Sequence, residues 1–299
     1  MRQDPDDRAA RRACPWSRAG GIRPAVNTLP VRMDLARRPS LRRLRRVVDR
    51  WLPVGHSSLL ARIVVLQHGG HQRPIITRGT KHLRFRFLST KTGTMQLGEG
   101  KGEALLANYN EVAAEVVDYE CHPFEIHVTH HGRVQRYRPD AVRQFVDGTI
   151  ELIEVKRTAE DLRDPDYREL LAIVREVARL CGWTFNVLDL EDIKGPQPFG
   201  NPRALPERVR NVEALFSRRT MELERHENRI AGRVVARGMP VTWRDLRDQL
   251  APTDPLQGDA VIECLLARGL LSTNLDTKLS PGTLLMPRKP FAARSGIRL

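Results

Sequence analysis

The chain has no apolar run near the roughly 20 residues that a membrane-spanning helix requires. Its longest candidate, SSLLARIVVLQ at residues 57–67, is short and interrupted by Arg62. Cysteine is scarce: Cys14, Cys121, Cys181 and Cys264 stand far apart, with no Cys-x-x-Cys pair and no Cys/His cluster of zinc spacing. That excludes a disulfide-stapled miniprotein and argues against structural zinc. The twin arginine at Arg11 and Arg12 is followed by Cys14, Pro15, Trp16, Ser17 and Arg18, not by the apolar stretch of an export signal. These absences lead to the expectation of a cytoplasmic protein in a reducing compartment, without membrane association.

What is present is basic charge. Of 299 residues, 50 are Lys or Arg and 36 are Asp or Glu, a net charge of +14 that calls for an acidic partner. At 40% hydrophobic residues the chain supports a real core, and its length suits about two domains. The charge is unevenly spread: +15 over residues 1–90, −7 over residues 91–199 and +6 over residues 200–299. An acidic middle in a chain suited to polyanions needs a reason, and metal-binding carboxylates supply one.

Four regions are expected: a basic, weakly ordered extension at 1–78, an α/β domain at 79–195, a C-terminal domain at 196–290 and a tail at 291–299. Within the extension, Leu41, Leu44, Val48, Trp51 and Leu52 recur at helical spacing among Arg42, Arg43, Arg45, Arg46 and Arg50. Such a basic amphipathic helix suits a nucleic acid or an anionic surface, and a solvated tail is its bland counterpart.

The middle reads as αβββαβ. Residues 98–110 (GEGKGEALLANYN) carry Leu105, Leu106 and Tyr109 at helix spacing, with Asn110 as a stop. Three strand-like stretches follow at 116–128 (VVDYECHPFEIHV), 135–146 (QRYRPDAVRQFV) and 149–156 (TIELIEVK), the last two joined by the hairpin signal Asp147-Gly148. Residues 166–181 form an amphipathic helix capped by Gly182, and 183–190 (WTFNVLDL) a final strand.

Chemistry gathers at Pro139-Asp140 and Glu154-Val155-Lys156. On a strand, residues two apart share a face, so Glu154 and Lys156 project together, and a bend at Pro139 aims Asp140 toward them. Two carboxylates and the Val155 carbonyl suit Mg2+, and the lysine can orient or deprotonate a water. A solvated strand face or a surface ion pair is the plain alternative. A second Pro-Asp, at Asp166, precedes Asp192-Ile193-Lys194 at an admissible distance. Asp166 begins a helix, where an acid favours the positive end, and Asp192 follows a strand rather than lying in one. His127, His130 and His131 flank a turn at Gly132 and read as exposed loop residues.

From Phe87 to Asp192 the sequence resembles the N-terminal nuclease domain of TnsA, the endonuclease subunit of heteromeric cut-and-paste transposases. That family lies within the restriction-endonuclease-like PD-(D/E)xK superfamily. FLSTKTGTM (residues 87–95), Glu103, VVDYECHPFEI (116–126), RYRPD (136–140) and IEVK (153–156) carry the likeness. The resemblance implies that Glu103, Asp140 and Glu154 bind metal, as two Mg2+ ions for which Mn2+ can substitute, and that Lys156 serves the water. Glu103 is selected by its distance from Pro123, with Glu99, Glu111 and Glu115 as neighbouring competitors. His122 stands where the family carries glutamine, a possible loss of a hydrogen bond near the site. Glu154 stands where some members carry glutamine and keeps full metal-binding charge.

Pro196, Pro198, Gly200 and Pro202 form a linker. Helical stretches around Val209 to Phe216, 230–237, 242–250 and 259–271, then two short apolar stretches around Ser280-Pro281-Gly282, suggest a winged helix. Its reading helix carries Asp259 and Glu263 and only Arg268 as a base, a poor set for major-groove recognition. Protein docking is expected instead. By the resemblance, the partners are double-stranded DNA at transposon ends, a DDE transposase subunit cutting the 3′ ends while this chain nicks the 5′ ends, and an AAA+ ATPase regulator. The competing readings are another PD-(D/E)xK nuclease, of restriction or junction-resolving type, and a non-catalytic winged-helix regulator.

Overall fold

The computed structural model describes residues 83–130, 133–197 and 204–288, together with the strand Leu60–Val64 and the two-residue strands Val26–Asn27 and Leu52–Pro53. The arginine-flanked apolar stretch at 40–51, the tail, His131 and Gly132 lie outside the described residues.

In chain order the elements up to residue 194 are β1 (Leu60–Val64), β2 (Arg84–Leu88), β3 (Met95–Glu99), α1 (Lys101–Val112), β4 (Val116–Cys121), β5 (Glu125–His130), β6 (Arg133–Tyr137), β7 (Ala141–Phe145), β8 (Ile150–Val155), α2 (Pro165–Leu180), β9 (Thr184–Leu188) and α3 (Leu190–Lys194). The central sheet runs β9-β8-β7-β4, with β8 and β9 parallel and the other pairs antiparallel. A second sheet joins β1, β5 and β6, with Val26–Asn27 and Leu52–Pro53 both pairing β1.

Two of the three strand-like stretches of the sequence are broken once each. The 116–128 stretch is β4 and β5, separated at His122-Pro123-Phe124; the 135–146 stretch is β6 and β7, separated at Arg138-Pro139-Asp140. β4 pairs β7 and β5 pairs β6, so the four strands form one long antiparallel ribbon bent where the two prolines fall. Proline lacks the N–H a ladder needs, so opposed prolines interrupt both strands at the same level. One backbone bond crosses the bend, from the His122 N–H to the Asp140 carbonyl at 2.9 Å. α1 also runs on to Val112, two residues beyond the expected stop at Asn110.

The region before residue 83 also contributes order. β1 lies within the stretch expected to be extension, and it pairs β5 with Ala61 and Ile63 buried in the main core. Its five residues, LARIV, lie in an apolar run interrupted only by Arg62, so no alternation marks them as a strand.

Helices cover both faces of the central sheet. Ile150 and Leu152 of β8 pack with Leu171, Val174 and Val177 of α2, while Ile153 and Val155 pack with Leu105 and Leu106 of α1. The period-2 alternation of the strand makes this division.

The C-terminal region contains α4 (Glu207–Arg218), α5 (Arg225–Arg237), α6 (Trp243–Leu250) and α7 (Pro255–Ala267). A small sheet accompanies them, with β12 (Leu284–Pro287) between β10 (Val241–Thr242) and β11 (Leu271–Ser272). Leu105, Tyr109 and Val112 of α1 join this core, and Phe87 meets Phe216 edge to face at 4.9 Å. One helix therefore serves both cores. No described helix is long and apolar enough to cross a membrane.

Candidate metal centre

The bend in the ribbon builds the site. Asp140 follows Pro139, His122 precedes Pro123, and the His122-to-Asp140 backbone bond fixes them side by side. Asp140 is tied again by its own N–H, which donates to the Ile153 carbonyl at 3.0 Å, and by its Oδ2, which accepts the Val155 N–H at 2.7 Å. His122 adopts φ 47°, in the left-handed region that is costly for a residue with a Cβ.

Glu103 arrives from the first turn of α1. Its Oε2 accepts the Glu99 N–H at 2.9 Å and lies 3.0 Å from His122 Nε2. Two glycines permit this approach. A Cβ on Gly98 would stand 2.8 Å from Glu103 Oε2 and closer still to the Phe85 ring, and one on Gly102 would stand 2.8 Å from Val155 Cγ1. Ligand atoms of Glu103, His122 and Asp140 all lie within 4.8 Å of one another.

The competing acids near Glu103 have other work. Glu111 is fully buried and accepts Ser89 Oγ at 2.6 Å, and the Thr90 N–H, Thr90 Oγ1 and Tyr119 OH at 2.7 Å each. Burial pushes its carboxyl up, but these donors outweigh that and hold it below the usual range. The FLSTKTGTM segment is thus the turn that grips Glu111, and Lys91 donates to the Asn110 and Ala113 carbonyls where α1 ends. Glu115 accepts from Tyr109, and Glu99 pairs with Arg84 at 3.4 Å.

Glu154 and Lys156 do project together, as the strand period requires: Lys156 Nζ donates to Glu154 Oε1 at 2.6 Å. The buried Glu154 also accepts the Tyr167 hydroxyl at 2.5 Å on the same oxygen and the Tyr137 hydroxyl at 2.7 Å on Oε2. Lys156 Nζ lies 4.6 Å from the centre of the Tyr167 ring. Glu154 stands outside the closest trio because it shares the α2 side of β8, yet its charge reaches Asp140. Burial first, then Glu154 and Glu103, push the Asp140 carboxyl well above its ordinary range; the Val155 N–H and Lys156 oppose the shift. Acids crowded this way suit a divalent cation, and the donor set of two carboxylates and an imidazole fits one.

The sequence does not reveal His122 as part of this trio. Standing in place of glutamine, it is expected to lose a hydrogen bond, whereas its imidazole contacts Glu103 directly. His127 also departs from expectation: it is buried on β5, with Nε2 2.7 Å from Glu125 Oε2. Its alternation with the buried Ile126 and Val128 conceals a covered outer face. The acids of the second Pro-Asp set lie at helix starts. Asp166 sits in the first turn of α2, its N–H donating to Asp164 Oδ1 at 3.0 Å, and Asp192 completes a capping box by accepting the Asp189 N–H at 2.9 Å. Lys194 pairs with Glu191 at 2.6 Å.

Residues 113–189 match the family model described as TnsA-like endonuclease N terminal. The match spans His122, Asp140, Glu154 and Lys156 and supports a TnsA-type endonuclease; Glu103 lies ten residues before its start. No curated protein matches the chain.

Proposed function

We propose that the chain is the metal-dependent endonuclease subunit of a cut-and-paste transposase, nicking the 5′ ends of the element while a DDE transposase subunit cuts the 3′ ends. The observation that carries this reading is the grouping of Asp140, at the bend of the ribbon, with Glu103 and His122, beside the hydrogen-bonded Glu154–Lys156 pair of β8, in a chain with a TnsA-like match over residues 113–189. Glu103, Asp140, Glu154 and the Val155 carbonyl are the proposed ligands for Mg2+, as two ions, with Mn2+ able to replace it. Bound there, the cation would supply Lewis-acid stabilisation of the phosphate charge.

The chain's own groups do the remaining work. Lys156, fixed between Glu154 Oε1 and the Tyr167 ring, orients the attacking water. Tyr137 and Tyr167 hold the Glu154 carboxylate in a single orientation, so the lysine is aimed by a group that is itself fixed.

The C-terminal region is proposed to be a winged helix that docks the AAA+ ATPase regulator. Support comes from α7, whose side chains are spent internally. Most of the helix is buried, Asp259 accepts Trp243 Nε1 at 2.7 Å, Glu263 pairs with Arg218 at 3.3 Å, and Arg268 donates to the Met221 carbonyl. Little remains to read base edges. The proposed setting is cytoplasmic, with transposon-end DNA as the nucleic-acid partner.

The test is reconstitution of the chain with the DDE subunit on end-bearing DNA, with strand-specific mapping of nicks. Nicks at the 5′ ends that require both Mg2+ or Mn2+ and the DDE subunit are expected. Cleavage by the chain alone at sites unrelated to the ends would point instead to a restriction-type or junction-resolving nuclease.

A further inference from the structure

The one residue of the closest trio that the sequence pattern does not account for is His122. It is 7% exposed, and its backbone is pinned twice, by the neighbouring Pro123 and by the bond to the Asp140 carbonyl. Its Nε2 is held 3.0 Å from Glu103 Oε2, with an Asp140 oxygen in the same group of atoms within 4.8 Å. For metal–donor distances of about 2.1 Å, two donors at right angles on an octahedral ion stand about 3.0 Å apart and two opposite donors about 4.2 Å. The His122–Glu103 separation is that of two adjacent donors on one ion, and the 4.8 Å that bounds all three ligand atoms exceeds the opposite-donor span by about 0.6 Å, a gap that a small inward shift on metal binding closes.

From this geometry we infer that His122 Nε2 is a metal ligand, and that it turns the site toward first-row transition-metal dications, represented by Mn2+, in preference to Mg2+. The inference rests on the reading of the site as a metal centre. It adds to that reading the identity of a nitrogen donor and its consequence for selectivity. Mg2+ is a hard ion that favours oxygen and gives up its waters reluctantly. An imidazole is a borderline donor, and affinity for nitrogen rises along the series that begins at Mn2+. A glutamine at this position, as the TnsA pattern has, would offer a hard amide oxygen. Exchanging that oxygen for a nitrogen leaves the two carboxylates to hold either ion and adds a bond that favours the transition metal. The strained φ of His122 is consistent with a side chain that backbone ties aim at one point.

The full chain, titrated with Mn2+ and followed by electron paramagnetic resonance, provides the test. Pulsed spectra of the bound ion should show a directly coupled 14N, replaced by a 15N pattern when histidine alone is isotopically labelled. This readout needs no variant and so does not depend on a substituted protein folding. His122→Gln should remove the coupling and weaken Mn2+ binding about tenfold, roughly 1.4 kcal/mol. Its Mg2+ affinity, measured by competition, should change much less. Asp140→Asn reports separately on the site itself and should abolish binding of both ions. If Mn2+ binds and is lost in Asp140→Asn, but no nitrogen coupling appears or His122→Gln leaves Mn2+ affinity unaltered, His122 is not a ligand and the metal-centre reading survives. If the wild-type chain binds neither ion, both fall.

Discussion

Asp140 is where burial and like charge meet. With no cation beside it, its carboxylate is desolvated and faces both Glu154 and Glu103, which is why its carboxyl is pushed well above the ordinary 3.8. Such a group binds more protons in the folded than in the unfolded chain. Its contribution to stability is therefore present below the ordinary value and lost as pH rises through the folded one. Asp140→Asn should thus raise the melting temperature of the metal-free protein at neutral pH, by about 2–4 °C for each kcal/mol relieved. That gain should shrink as the pH is lowered. Thermal melts with and without Mg2+ check both halves of the statement, because the same variant should lose the metal-dependent rise that the wild type shows. A lower metal-free melting temperature with the metal response intact would remove Asp140 from the site.

At the scale of elements, the site depends on how closely α1 lies on β8. Gly102 faces Val155, and a Cβ there would stand 2.8 Å from Cγ1 of a strand residue with little freedom to move. Helix propensity alone makes Gly→Ala stabilising by up to about 1 kcal/mol, whereas overpacking a core costs about 1–3 kcal/mol. At Gly102 the clash wins, so Gly102→Ala should lower stability and, by pushing Glu103 away from Asp140, slow single-turnover nicking by about tenfold or more. Gly232 in α5 is the control, because a Cβ added there would meet nothing within 4 Å. Its alanine variant should be neutral to stabilising, with unchanged nicking.

The same elements explain what the sequence reveals. A strand's fixed period makes the Glu154–Lys156 pair readable, and helix-start chemistry places Asp166 and Asp192 in the first turns of helices, where the structure has them. The bend is written in Pro123 and Pro139, but only their opposition across the ribbon, a long-range pairing, shows that they act together. His122 is hidden for the same reason, since its partner Glu103 is 19 residues away on another element. β1 escapes because its burial depends on β5, more than 60 residues later.

Over the whole molecule, charge and packing separate two tasks. The acidic middle repels phosphate, and the basic excess of residues 1–90 can offset that by drawing DNA to the chain. Replacing Arg42, Arg43, Arg45 and Arg46 by glutamine should weaken binding to all duplexes alike and flatten the log–log salt dependence by about 0.9 units for each phosphate no longer neutralised. An unchanged slope across salt titrations would show that these arginines do not touch DNA. This substitution keeps β1 intact, as deletion of residues 1–78 would not. The C-terminal core, meanwhile, includes Leu105, Tyr109 and Val112 of the helix that delivers Glu103, so docking of a partner there has a physical route to the metal centre.

The most direct measurement is single-turnover nicking of end-bearing DNA by the reconstituted complex, comparing two sets of alanine variants of correctly folded protein. Asp140→Ala and Glu154→Ala should abolish 5′ nicking. Asp166→Ala, Asp192→Ala and Lys194→Ala, which touch only helix caps and a surface pair, should keep it within about tenfold, or 1.4 kcal/mol of barrier. Normal nicking by Asp140→Ala and Glu154→Ala, with loss of activity in the second set, would place the chemistry elsewhere.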